Sequence, residues 1–406
     1  MAGPPSRSGT SLLVACLLGG SSGWAMTAAG AGAASLTPAY DASLLLVGLM
    51  TTALAGTYAA LQLPAGVLVD RVGVRNASVV GLTVVVLVHV VACTAPLIWL
   101  ALACRALAGA GYAVCFVSGA ELARRSGSGP SGIGLFGGVS LAASGAAVLT
   151  VPFAEHVVGW RAAWVTSGAV ALLALLMVAR LRVAGPVPTR TSRPGATAAS
   201  PGPSLLRDGE LHRLAAVHAV TLGLGVVLSN WAAVVLMDTW DFGRAAAAAT
   251  GSLVLGTSVI SRPFGGWLVR RVPHRTAQIS AASLAGCAGA TAALAAPTSP
   301  AVAVVAVLVL GLLSGLPFAA VITAGQARHP DRPAAAVGLL NSQANALILA
   351  GTPLFGAGIE RGLTSSALWL VAAVWLLPLL ARPRTAGRDL ADAPSPHSAE
   401  AVVDHR

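Results

Sequence analysis

The sequence predicts an all-α membrane protein with twelve transmembrane helices, arranged as two six-helix bundles around a central cavity. Three observations carry this prediction. Of 406 residues, 56% are apolar and only 10% charged, and the mean hydropathy is positive. Such a chain lacks the polar surface to cover a soluble globule and must be solvated by lipid. Apolar runs of roughly 20 residues, the length that crosses a bilayer core, recur from one end of the chain to the other. Finally, one phrase is written twice, two hundred positions apart, a period that fits a half-protein rather than a solenoid unit.

The twelve runs lie at approximately 11–34, 44–66, 76–95, 97–121, 131–154, 162–182, 212–236, 245–268, 275–296, 300–326, 334–358 and 364–381. Each should be helical, because a segment crossing lipid must satisfy its backbone internally, and the ten-residue alternation of a membrane barrel is absent. Residues 1–182 form the expected first bundle and 212–382 the second. Between them, 183–211 has linker composition, with Pro186, Pro188, Pro194, Pro201 and Pro203 and no apolar period. Residues 383–406 are rich in proline and charge, which predicts a disordered tail. The first run follows Arg7 and begins like a signal peptide, but it is long and leads straight into a second apolar run. An uncleaved first helix is therefore expected.

Arginine sets the orientation, since the chain has no lysine. With the amino terminus inside, twenty arginines fall in segments predicted to be cytoplasmic, against only Arg161, Arg244 and Arg361 outside. The positive-inside rule then places both termini in the cytoplasm of an inner membrane. Basic loops facing anionic lipid account for the net charge of +11 without a nucleic-acid partner. The five cysteines, Cys16, Cys93, Cys104, Cys115 and Cys287, all fall within spans without metal spacing, and they read as small apolar packers. No cofactor or metal site is expected.

The repeated phrase reads Gly66-Val67-Leu68-Val69-Asp70-Arg71-Val72-Gly73-Val74-Arg75-Asn76-Ala77 and, later, Gly266-Trp267-Leu268-Val269-Arg270-Arg271-Val272-Pro273-His274-Arg275-Thr276-Ala277. Seven of these twelve positions are identical. In a membrane chain, two similar halves in one orientation point to a transporter with its substrate site between them. The first copy, a G-x-L-x-D-R-x-G-x-R pattern between spans two and three, resembles the signature of the major facilitator superfamily. The second lies where that family repeats it in degenerate form. Arg105-Ala106-Leu107-Ala108-Gly109-Ala110-Gly111 is similar to the family's R-x-x-x-G-x-G in span four. Gly159-Trp160-Arg161 resembles its entry into span six, and Arg262-Pro263-Phe264-Gly265-Gly266 its exit from span eight. The resemblance implies alternating access between inward-open and outward-open states. It also implies a conformational latch built on Gly66, Asp70, Arg71, Gly73 and Arg75, with Glu121 at the end of span four as a further partner.

Elementary chemistry gives the latch a basis of its own. Gly66 and Gly73 allow a tight turn and close backbone approach. Asp70 is placed to meet a helix amino terminus or an arginine such as Arg75. The second copy has Arg270 in place of Asp70, so an equivalent latch there is in doubt. Only Arg105 and Arg262 are charged residues lying well inside the spans, and each costs at least about 2.5 to 3.5 kcal/mol at a helix centre. Lipid is thus an improbable neighbour for them. No Asp or Glu lies mid-span. The cavity therefore reads as net positive, which favours an anionic substrate if both arginines face it. The alternative is that Arg105 bonds backbone carbonyls and Arg262 pairs with helix ends.

Gln62, Asn230, Asn341 and Asn345 are the remaining candidates for substrate contact, with Asn341 and Asn345 one turn apart on a common face. Interhelical hydrogen bonding is the competing role for each. A coupling proton would have to use His89 or His218, the only span histidines, or a helix-end acid or the substrate itself. Around Arg262 the chain also resembles nitrate and nitrite porters, but these carry a second arginine where Gln62 stands, which argues against nitrate.

The expected function is secondary active transport of a small solute by a monomer whose partners are that solute, a coupling proton or ion, and membrane lipid. A proton-coupled exporter of drugs or metabolites is the nearest alternative, and a non-transporting sensor or scaffold on the same fold a remote one. Nothing in the spans supports enzymatic work: there is no phosphate-binding glycine loop and no paired catalytic acids. Cysteine-accessibility labelling should find Ser192 and Ser395 on the cytoplasmic side and Asp41 and Thr298 outside. Opposite labelling at any one of these breaks the topology.

Overall fold

A computed structural model describes residues 7–181 and 204–380, and among them every regular element is helical. The linker core and the tail lie outside the described residues. The first group of helices comprises α1 (Arg7–Ala31), α2 (Ala33–Ala39), α3 (Leu44–Val72), α4 (Val74–Ala92), α5 (Ile98–Arg125), α6 (Gly129–Val158) and α7 (Ala162–Arg180). The second comprises α8 (Gly209–His218), α9 (Gly225–Trp240), α10 (Arg244–Gly256), α11 (Ser258–Arg271), α12 (Thr276–Ala295), α13 (Pro300–Gly315), α14 (Pro317–Arg328), α15 (Pro333–Glu360) and α16 (Thr364–Leu380).

There are more helices than spans because several spans bend. A π-helical turn at Ala219–Leu224 joins α8 to α9. Thr257 separates α10 from α11, and Pro317 begins α14 directly after α13. Proline lacks the donor that would continue the preceding helix. Among the described residues nine stretches are long and apolar enough to cross a membrane. One of them, Gly129–Arg180, holds both α6 and α7. With α10–α11 and the shorter apolar α16, the pattern is consistent with twelve spans. Where α3 turns into α4 there is no loop at all: Gly73, at φ 85° and ψ 152°, ends one helix and begins the next. That backbone conformation favours a residue without Cβ.

Each group packs as a bundle, α1 against α5 and α6 and α3 against α5 in the first, α9 against α10 and α12 against α13 and α16 in the second. The bundles meet along two seams, α3 against α15 and α6 against α11. Both seams depend on missing side chains. A Cβ on Gly66 would strike the Ala334 carbonyl and lie 2.5 Å from Ala335 Cα, and one on Gly266 would strike the Pro130 carbonyl and lie 2.8 Å from Ser131 Cα. One turn further in, Gly338 sits against the Gln62 carbonyl and Gly134 against the Arg262 carbonyl. Position 62 thus plays on one seam the part that 262 plays on the other, so the repeat in the sequence is a pseudo-twofold in space. Small residues of this kind let helices approach closely in lipid, where packing drives association.

Both seams are tight only at the end that carries the arginine-rich turns. About five turns along α3 on the face of Gly66, the Cβ position of Gly48 meets nothing within 4 Å beyond its own helix among the described residues, and the same holds for Gly145 about three turns beyond Gly134 on α6. On α15, Leu349 is 37% exposed about three turns beyond the fully packed Gly338. The bundles therefore splay away from the arginine-rich end. A Gly338→Leu variant should still insert but fail to close that end, overpacking the seam by about 1 to 3 kcal/mol. Spin labels at Arg71→Cys and Arg332→Cys, both at exposed positions, should move apart relative to the unmodified seam; an unchanged distance would show that the seam tolerates bulk.

Candidate functional site

The splayed bundles converge on a polar cluster just inside the tight part of the seams. From α3 come Tyr58 and Gln62, from α8 His218, from α11 Arg262 and from α15 Asn341, all between 0% and 5% exposed. Arg262 Nη1 donates to the Gly137 carbonyl of α6 at 3.1 Å, so the arginine reaches across the seam. Its guanidinium carbon lies 4.1 Å from the centroid of the Phe318 ring, a cation–π contact strengthened by the burial of both side chains. Phe318 can stand there because Gly137 leaves the space its ring occupies. His218 packs on the same ring, with centroids 5.8 Å apart.

Hydrogen bonds within the cluster are long. His218 Nε2 lies 3.4 Å from Asn341 Oδ1, and Asn341 Nδ2 donates to the Tyr58 hydroxyl at 3.4 Å, joining the halves. Among the described residues several buried polar atoms have no hydrogen-bond partner: Arg262 Nε, His218 Nδ1 and both amide atoms of Gln62, although that amide lies beside the Tyr58 hydroxyl. Buried groups in this condition are rare and call for a reason. Asn345 stands one turn further toward the open side and donates to the Asn341 carbonyl at 2.8 Å.

Three predicted residues, Arg105, His89 and Asn230, lie elsewhere. Arg105 is buried inside the first bundle, where Nη2 donates to the Ala25 carbonyl at 2.8 Å and Nε to the Met50 carbonyl at 3.2 Å. Met50 is about 12 Å along α3 from Tyr58, and the hydrogen-bond and ring partners of Arg105 among the described residues (Ala25, Met50, Trp164) differ from those of Arg262 (Gly137, Phe318). It ties α1, α3 and α5 together. His89 lies beside it, its Nδ1 2.7 Å from the Val85 carbonyl and its ring edge-on to Trp164 and Tyr112. Asn230 is exposed on α9 and faces Thr352 at 3.5 Å, about three turns along α15 from Asn341. Tyr58 and Phe318 were not singled out in the sequence. Tyr58 was open to discovery, one turn before Gln62 on the same face, whereas Phe318 reaches the cluster only through the bend at Pro317.

At the arginine-rich end the residues expected to form a latch go to different partners. Asp70 accepts from the amides of Ala334 at 3.0 Å and Ala335 at 2.9 Å, capping α15 from the opposite bundle. Of the partners the sequence offered, it takes the helix terminus, where a carboxylate meets both free amides and the helix dipole. Arg75 instead donates to the Ala179 carbonyl at 2.8 Å within its own bundle, and Arg71 is exposed. Glu121 is fully buried and binds Arg124 and Arg125. On the other seam Arg270 stands where Asp70 stands on the first, its Cδ 4.0 Å from the Cβ position of Gly129 at the start of α6. A cation at that terminus opposes the helix dipole.

A second clasp lies within the second bundle. Asp208 caps α8, accepting from the Glu210 and Leu211 amides, and holds Arg328 at 2.5 Å and His329 at 2.9 Å. Burial works against its charge, but Arg328, the Leu211 amide and His329 outweigh burial and keep the carboxyl at about 2. A depressed carboxyl stabilises the fold above its unfolded value, and that contribution is lost as pH falls through about 2.

A family model described as Major Facilitator Superfamily matches residues 13–353. No curated protein sequence matches the chain significantly. Among solved structures, the E. coli fucose:proton symporter FucP superimposes with a TM-score of 0.68 at 14% identity, over 91% of this chain and 98% of that one. A structure of FucP in the outward conformation gives 0.72 at 13% identity, over 92% and 98%. The human organic anion transporter MFSD10 (TETRAN) gives 0.69 at 15%, over 93% and 99%. At these identities the likeness is one of fold.

Replacing Asp70 with Asn should speed hydrogen–deuterium exchange at the first amides of α15 by roughly ten- to a hundredfold, the loss of a charge-assisted bond of about 1.5 to 3 kcal/mol. Arg270→Asp should slow exchange at the start of α6. Unchanged exchange in both variants would reduce these side chains to solvated turn charges.

Proposed function

The chain belongs to the major facilitator superfamily, and from that premise we propose that it is a secondary active transporter of a small solute bearing an acidic group, and not an enzyme. The observation that carries the substrate reading is Arg262: a buried guanidinium on a seam, with one donor unpartnered and no carboxylate among the described residues to neutralise it. A ligand carboxylate or similar anion supplies both the charge and the acceptor it lacks.

The remaining readings follow from this one. The two bundles, 1–182 and 212–382, rock about the seams, with 183–211 as the connecting linker and 383–406 as a tail. The arginine asymmetry supports placing the tight end in the cytoplasm of an inner membrane, so this state faces outward, with Asp70 as the latch holding it shut. The carrier works as a monomer in lipid. MFSD10 is an organic anion transporter by its description and FucP a proton symporter, and both activities are compatible with the seam cluster.

Purified protein screened by thermal shift against pairs of organic acids and their neutral amides tests the reading, because a ligand of the native state raises its apparent stability by mass action. Arg262→Gln should cost an acid about tenfold to a hundredfold in affinity, the range of a charge-assisted hydrogen bond, and its amide far less. Arg105→Gln should lower the melting temperature while leaving the preference for acid over amide intact. Equal losses for acid and amide in Arg262→Gln would exclude an anionic solute and favour a cationic-drug exporter.

A further inference from the structure

Beside the unpartnered Nε of Arg262, the seam cluster holds an unpartnered imidazole nitrogen, Nδ1 of His218. His218 is fully buried, and its Nε2 points to Asn341 Oδ1, an atom that can only accept. That contact fixes the tautomer with hydrogen on Nε2 and leaves Nδ1 with a free lone pair and no partner. Of the elements packed on this ring, α11 contributes Arg262, close enough to act on it electrostatically. The first bundle contributes Tyr58, linked to it through Asn341. Phe318 of α14 and Asn341 of α15 carry no charge. A proton added at Nδ1 thus meets a guanidinium and, among the described residues, no carboxylate. Two like charges in a low-dielectric interior repel strongly. One anion between them reverses the balance, since it attracts both.

We infer that His218 and Arg262 form one composite site that takes up a proton and an organic carboxylate together, with the proton on His218 Nδ1 and the carboxylate on the guanidinium. This rests on the acidic-solute reading and adds the coupling ion and its residue to it. The step is a protonation only: an N–H bond forms at Nδ1 with a proton from the aqueous phase, and the carboxylate stays ionised. Guanidinium, imidazolium and carboxylate together carry the same net charge as the empty site. The loaded and empty carriers therefore reorient with equal charge, and transport is an electroneutral symport driven by a pH gradient and indifferent to membrane potential. Release follows when the seam opens and water solvates both charges. His89 takes no part, because its unpartnered nitrogen lies inside the first bundle away from the seam.

The test uses the full chain in weakly buffered detergent solution with a pH-indicator dye, and as probes lactate, benzoate and succinate with their neutral amides. Wild-type protein should take up about one proton for each monocarboxylate bound, and its affinity should fall about tenfold per pH unit once the proton must be drawn from an increasingly alkaline solution. His218→Gln and His218→Asn should bind carboxylate without proton uptake and with an affinity flat in pH; His89→Gln should behave as wild type. Carboxylate binding without proton uptake in wild type, or uptake retained in both His218 variants, overturns the inference and leaves the acidic-solute reading intact. If no carboxylate binds the wild type, that reading fails and this one with it. Loss of binding in both His218 variants despite unchanged melting temperatures would also overturn it, since the histidine would then be holding the anion and not merely its proton.

Discussion

The structure turns on a contact between one side chain and the end of a helix that belongs to the other bundle. Asp70 accepts two hydrogen bonds from α15 across the seam, and it can do so only because Gly66, one turn earlier, lets the two backbones touch. The first free amides of a helix need an acceptor, and in this state they find it in the opposite half of the molecule. The cap of α15 therefore exists only while the halves are together. A local rule of helix termination has become a term in a global equilibrium, and any state that separates these helices must hydrate both the carboxylate and the amides.

The two seams are alike in backbone and unlike in charge. Gly66 and Gly266, Gln62 and Arg262, Gly134 and Gly338 occupy matching places, which accounts for the shared glycine that opens both copies of the phrase, whereas Gly73 gives way to Pro273 outside the close contact. Shape must be kept in both for the bundles to close. The charged positions carry no such demand, and they have diverged: Asp70 against Arg270 at the rim, Gln62 against Arg262 inside. Divergence at the rim leaves one seam with a helix cap made across it and the other with a cation near a helix amino terminus, so the seams should differ in how readily they part. Divergence inside leaves the cluster with a single guanidinium and hence a polarity, one wall charged and the other an amide.

Much of this was legible in the sequence, for definite reasons. Span number and spacing follow from runs that lipid alone can solvate, and the pairing of halves follows from a repeat whose glycines are steric necessities. Asp70 and Arg262 were visible because charge is costly where they stand. What stayed hidden depended on direction. Arg105 and Arg262 are equivalent by composition and by depth, yet one turns inward to the Ala25 and Met50 carbonyls and the other reaches across a seam to Gly137. No residue spacing distinguishes these outcomes, because the choice rests on which neighbouring helix offers free carbonyl lone pairs. Phe318 was hidden for a related reason, since the bend at Pro317 resets which face of the span looks toward the cluster.

The region where the seams close also holds several unsatisfied polar groups among the described residues. Each buried polar atom without a partner costs on the order of 1 to 3 kcal/mol, and Gln62, His218 and Arg262 all contribute such atoms to the sealed region. A charge-assisted hydrogen bond such as those of Asp70 contributes a stabilisation of the same order. Terms of similar size and opposite sign act across one interface, so neither closure nor opening dominates by a wide margin. That near-balance is what alternating access requires, because a ligand can shift an equilibrium only by its differential affinity for the two states. A solute that satisfies the orphaned donors relieves the cost inside the seam while the latch is still made. On the proposed reading ligand and Asp70 cap would then hold the bundles together, and the long 3.4 Å contacts of Asn341 could rearrange without a strong bond having to break.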